Sequence, residues 1–236
     1  MADKIKVKPL EGQKFKEFEV STKNWNLDTR KEINKLLAPV LSEENDQMRS
    51  NMMFDVGCDI SEMATTLTEE EIFNLSSGEI VAIGFRISDA INKKKIDELL
   101  LRINVWISFN KLQEGAFAGV SFPYVAVCPS NRKKSEFKGI TDVYDEIIRL
   151  SDEAEQKGFD VGYAIYSQSF FFADHGLLLD EDCQSRITEY NFCKQFSCPP
   201  YPSLKETPPK IVDDFLIIEQ EYNHCVAKQQ KEKSNA

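Results

Sequence analysis

Apolar positions along the chain follow two periods, one of two residues and one near 3.6, and these divide it into elements. Ile5-x-Val7 and Phe18-x-Val20 alternate around Glu11-Gly12, which predicts a β-hairpin with exposed lysines and Pro9 at an edge. After Asn24-Trp25-Asn26, apolar positions 33, 36, 37, 40 and 41 keep helical spacing, with Asn26 as cap and Pro39 ending the helix near Leu37. Met48, Met52, Met53, Val56, Ile60 and Met63 continue at near-helical spacing, interrupted at Gly57. Thr68-x-x-Glu71 and Ser76-x-x-Glu79 are capping boxes. The second opens a helix with Ile80, Ile83, Ile87 and Ile91 on one face, ending on Lys93, Lys94 and Lys95, where cations complement the helix dipole. Ile96, Leu99, Leu100, Ile103, Trp106 and Ile107 mark another helix, mostly buried, that runs to Leu112.

The period is lost from Gln113 to Lys138, where Gly115, Gly119, Pro123, Pro129 and SNRKKSEFKG read as a boundary or mobile loop, with Phe122–Cys128 as a short strand or buried extended segment. It returns at Thr141, an N-cap for an amphipathic helix through Val143, Ile147 and Leu150 that stops at Gly158. Residues 160–179 are aromatic and read as a buried helix, with a strand as the alternative. A helix from about Asp182 carries Ile187, Tyr190 and Phe196 and stops before Pro199-Pro200-Tyr201-Pro202. Thr207 then caps a last helix whose first turn takes Pro208 and Pro209. Its residues Ile211, Phe215, Ile218, Tyr222 and Cys225 step in a heptad-like seam, and AKQQKEKSNA is expected to fray. The fold class is therefore mainly α (α+β), helical with a small N-terminal β-hairpin and a short central strand. The expected division is 1–112, an irregular 113–139, and 140–236.

Charge narrows the function more than composition does. A net charge of −10 argues against a nucleic-acid partner, which needs clustered lysine and arginine. No stretch offers the roughly 20 uninterrupted apolar residues of a membrane span, so no membrane partner is expected. The polar start MADKIKVK has no apolar run, and a reduced, cytoplasmic setting is expected, with the six cysteines as small buried hydrophobes. Cys183, Cys193, Cys198, His224 and Cys225 carry zinc-type ligand atoms, but their spacing is not that of a zinc site, and His224 and Cys225 diverge on a helix. Asp174-His175 reads as a capping pair, because an acid–base or metal site would need partner histidines and the chain has two in all. No phosphate-binding glycine loop is present. No catalytic residue, metal ligand or cofactor is therefore expected.

KFKEFEVSTKNWNLDTR, then LTEEEIFNLSSGEIVAIGFRISDAINKKK, and at the other end FCKQFSCPPYPSLKETPPKIVDDFLIIEQEY, together resemble the tail assembly chaperones of tailed bacteriophages. The resemblance covers about 100 residues in two blocks and is one of texture, without a diagnostic motif. It implies a non-catalytic factor of the host cytoplasm that coats the apolar helical tape measure and recruits tail subunits by helix-in-groove binding. The surfaces it nominates are the face of Met48, Met52, Met53 and Met63 and the seam of Ile211, Phe215, Ile218 and Tyr222, either of which also reads as internal core. Homo-oligomerisation is compatible with this reading. A virion structural component such as a baseplate, neck or hub protein is the alternative, and a zinc-binding or cysteine-dependent enzyme module ranks third.

Overall fold

The N-terminal hairpin pairs β1 (Lys4–Val7) with β2 (Phe18–Ser21) antiparallel, Ile5 opposite Val20 and Val7 opposite Phe18. The computed structural model describes residues 4–23, 27–111 and 119–234, with backbone alone for residues 27, 28 and 31. The expected Asn26 cap and part of the irregular stretch lie outside the described residues. The fold is mainly helical with two small antiparallel strand pairs. The chain divides into two compact units, Met1–Lys94 and Lys95–Ala236.

In the first unit, α1 (Leu27–Leu41) runs through Pro39 instead of ending near Leu37. Proline so close to the helix end sacrifices one backbone hydrogen bond, and continuing the helix carries Val40 into the core beside Ile33 and Leu37. α2 (Asp46–Ala64) is likewise unbroken at Gly57. A Cβ there would sit 2.6 Å from Ile80 Cγ2, so this glycine sets a close helix–helix approach rather than a stop. The hairpin is tied to the end of α2 by Lys23 N–H donating to Ala64 O at 2.9 Å and Thr66 N–H donating to Ser21 O at 2.9 Å. α3 (Glu69–Phe73) starts at the Thr68 capping box, and Ser76 and Glu79 form the reciprocal bonds that open α4 (Ser77–Asn110).

α4 is one helix of 34 residues where two are expected. Lys93, Lys94 and Lys95 are good helix formers with no glycine or proline between them, so nothing local interrupts the hydrogen-bond ladder. Ile83, Ile87 and Ile91 of α4 belong to the core of the first unit, whereas Ile96, Ile103 and Trp106 belong to that of the second. The division of the chain therefore falls within α4, not at 113–139, because the apolar face of 96–107 is covered by elements C-terminal to it.

The second unit contains β3 (Tyr124–Cys128) and β4 (Lys133–Phe137), an antiparallel pair, then α5 (Ile140–Lys157), α6 (Val161–Ser169), α7 (His175–Leu178), α8 (Glu181–Phe196) and α9 (Pro209–Ser234). The stretch expected to be irregular thus includes a second strand, β4, whose only buried residue is Phe137. Phe122, Tyr124, Phe137 and Phe172 stack in a column with successive ring centroids 5.3, 5.4 and 5.7 Å apart. Glu146, fully buried on α5, accepts from the backbone and hydroxyl of Ser130 at 2.9 Å each and so fastens the β3–β4 turn. α5 ends at Gly158 in the left-handed conformation, as expected, but begins with Asp142 accepting from the Lys138 and Gly139 backbones rather than with a Thr141 cap. α9 continues as helix to Ser234 where fraying is expected, supported by the Lys228–Glu232 pair one turn apart.

Replacing Gly57 with valine forces α2 away from Ile80. Unfolding in urea is expected to show a loss of about 1–3 kcal/mol, the usual cost of overpacking.

Candidate functional site

Heptad-like spacing in α9 places Ile218, Glu221 and Cys225 on one stripe, and all three are buried. Glu221, 1% exposed, is the charged member. Burying an ionised carboxylate is costly unless donors and a counter-charge surround it. Both come from α4: Arg102 pairs with Oε1, and Trp106 Nε1–H donates to Oε2 at 2.8 Å. α6 closes the third side, where a Cβ on Gly162 would collide with Glu221 Oε2 and Trp106 Nε1. Trp106 also packs on Tyr163 and Tyr166, with centroids 5.1 and 5.8 Å away.

One turn further along α9, His224 Nδ1 faces Asp160 Oδ2. Asp160 is the N-cap of α6, accepting from Tyr163 N–H at 2.6 Å through its other oxygen. Burial first, and the Arg102 charge second, lower the pKa of His224, which favours its neutral ring. One ligand atom each from Asp160, Glu221 and His224 lies within 4.8 Å of the others. Among the described residues this is the group of three ligating side chains close enough to share an ion, and it contains no cysteine.

Of the cysteines expected to be buried, only Cys128 and Cys225 are; Cys183, Cys193 and Cys198 are half-buried, and Cys58 lies exposed on α2. All six are free thiols. Burial pushes the Cys183 thiol well up, and burial with the neighbouring Glu221 raises Cys225 to about 12. Cys193 and Cys198 meet at the end of α8, where Cys198 N–H donates to Cys193 O at 3.1 Å. Asp174 caps α7, accepting from Gly176 N–H at 2.9 Å. His175 is buried between Tyr166 and Phe170, its Nε2 2.8 Å from Ser169 Oγ, which in turn donates to Tyr166 O. Burial lowers the pKa of His175, which favours its neutral ring. Ser169 and His175 are fully enclosed, so the pair is structural.

The surfaces nominated for partner binding are placed unevenly. Met48 is exposed and Met52 and Met63 are half-buried, while Met53 is fully buried with its sulfur against Gly84. Ile211 and Ile218 are buried, and Ile218 packs with Leu101, Val105, Ile187 and Tyr190, with Phe215 and Tyr222 alongside. The seam therefore packs against α8 and α4 of the same chain. A different apolar surface is open. Val125 and Val127 on the outer face of β3, with Phe159 and Phe171, are 60, 42, 63 and 60% exposed. They border a groove of about 800 Å³ floored by Leu150, Ala154 and Ala164 and rimmed by Arg132, Lys134 and Lys157. Its residues come from four separate segments, which no local spacing connects. The one signal in the sequence is the Val125-x-Val127 alternation, outward on a strand whose Ala126 and Cys128 face in.

No protein family, no curated protein and no solved structure matches the chain. Among the described residues, no helix is long and apolar enough to cross a membrane.

These buried titratable groups generate two expected outcomes. Glu221→Ala strands Arg102 and is expected to lower the unfolding free energy by about 3–5 kcal/mol in urea titrations. His175 takes up its proton more readily unfolded than folded. Stability is therefore expected to be flat above the ordinary histidine range and to fall as pH drops below about 6.5. His175→Gln should shrink that decline when unfolding is monitored from pH 7.5 to 5.

Proposed function

We propose that the chain is a non-catalytic binding factor for an apolar helical partner, in the manner of the phage tail assembly chaperones it resembles. The observation that carries this reading is the open groove between β3, α5 and α6, with four large apolar side chains around it. An amphipathic helix offers anchors at positions i, i+3 or i+4, and i+7, and a concave apolar surface of this size accepts two or three of them. Lys157 on the rim is paired with Glu153 beside it, while Arg132 and Lys134 on the same rim favour a partner with acidic residues beside its anchors. A binding role is also favoured by the state of the chemically versatile groups. Glu146, His175 and Glu221 are each buried, and each is engaged by neighbouring side chains.

The tape measure, a long apolar helical protein, is the partner this reading names. Co-expression with such a protein from the same genome is expected to yield a co-purifying complex with the native chain. Val127→Asp combined with Phe171→Asp, at two exposed positions, should reduce recovery at least about tenfold with an unchanged circular dichroism spectrum. Undiminished recovery with the double variant would overturn the groove as the docking surface, and no complex with the native chain would overturn the function.

A further inference from the structure

We infer that Asp160, Glu221 and His224 form a binding site for a divalent transition-metal ion, with zinc the best match. The inference is independent of the groove and of the partner proposed for it. Two carboxylate oxygens and one imidazole nitrogen mutually within 4.8 Å provide three ligands and leave a further position for water, a donor set suited to zinc. Each carboxylate is held by its other contacts in the way that outer hydrogen-bond partners hold metal ligands. Tyr163 N–H fixes Asp160, while Arg102 and Trp106 Nε1–H fix Glu221. Nδ1 of His224 is itself buried and turned toward Asp160.

Charge supports the same assignment. Arg102 offsets one of the two carboxylates, so the group carries a net single negative charge that a divalent ion reverses. Asp160 and His224 are 25 and 41% exposed, which leaves a path for the ion, whereas Glu221 anchors the inner side. Gly162 is required for this geometry, because any side chain there would fill the space beside Glu221 Oε2. A bound ion would clip α9 to the start of α6.

The test is titration of the chelator-stripped full chain with Zn²⁺ by calorimetry and with Co²⁺ by absorption. Saturable 1:1 binding is expected, with a cobalt spectrum lacking thiolate charge-transfer bands and a melting temperature that rises with Zn²⁺ concentration. Asp160→Asn retains a good N-cap and His224→Ala alters a partly exposed residue, so both should fold, as circular dichroism would verify. Each is expected to weaken binding more than about tenfold. Absence of saturable binding by the native chain, a thiolate band in the cobalt spectrum, or native-like affinity in both variants would overturn the site.

Discussion

The second unit depends on one buried negative charge. Glu221 can be ionised inside the protein only because Arg102 and Trp106 reach it from α4 and because α6 presents a glycine at the point of closest approach. Those three conditions fix the rotation and height of α9 together. Once Glu221 faces inward, Ile218 and Cys225, about one turn to either side, must also face inward, and both are essentially inaccessible. The heptad-like seam thus follows from the position of the carboxylate, and its packing partner is the chain's own α8 and α4. A neutral side chain at 221 would allow α9 to slide; a charged one does not, since any displacement separates it from its donors.

The same device recurs along α4. Asn104 is fully buried, yet its amide donates to Leu100 O and Leu178 O while its oxygen accepts from Asp180 N–H and Gln184 Nε2–H. All its hydrogen-bonding capacity is met, and the bonds to Leu178, Asp180 and Gln184 register the α7–α8 junction against the helix. Glu146 does likewise for the β3–β4 turn. Apolar burial supplies most of the stability of such a unit, but it is non-directional. The buried side chains of Glu221, Asn104 and Glu146 specify which of many greasy packings is adopted.

Much of the secondary structure is legible from local rules. Thr68 and Ser76 cap helices because their partners lie three residues on; Gly158 ends α5 because only glycine accepts the left-handed conformation cheaply; the prolines at 199–202 and 208–209 stop one helix and start another. Where local rules mislead, a distant residue intervenes. Pro39 stays helical because Val40 has a core to enter, and Gly57 marks a contact with Ile80, 23 positions away by residue number. β4 is hidden by its charges, since a strand exposed on one face with a single aromatic inward gives almost no alternation. The Asp160–Glu221–His224 group is illegible for the same reason as the groove. Asp160 lies 61 and 64 positions before Glu221 and His224, and a glutamate among the acidic residues of an amphipathic helix looks like solvated surface until its neighbours are known.

α6 connects these features to the proposed function. Its N-terminus carries Asp160 and the glycine beside Glu221, while Ala164 and Gln168 on the same helix form a wall of the apolar groove. Nine residues make barely two and a half turns, too few for a helix to hold its place by propensity alone. The cap, the contact with Glu221 and the Trp106 stack supply what its length does not. A groove that accepts a helix without rearranging needs a stationary wall, and preorganisation of that wall lowers the ordering cost of binding. The buried charge at Glu221 is thereby a determinant of the groove proposed for docking, acting through the position of α6.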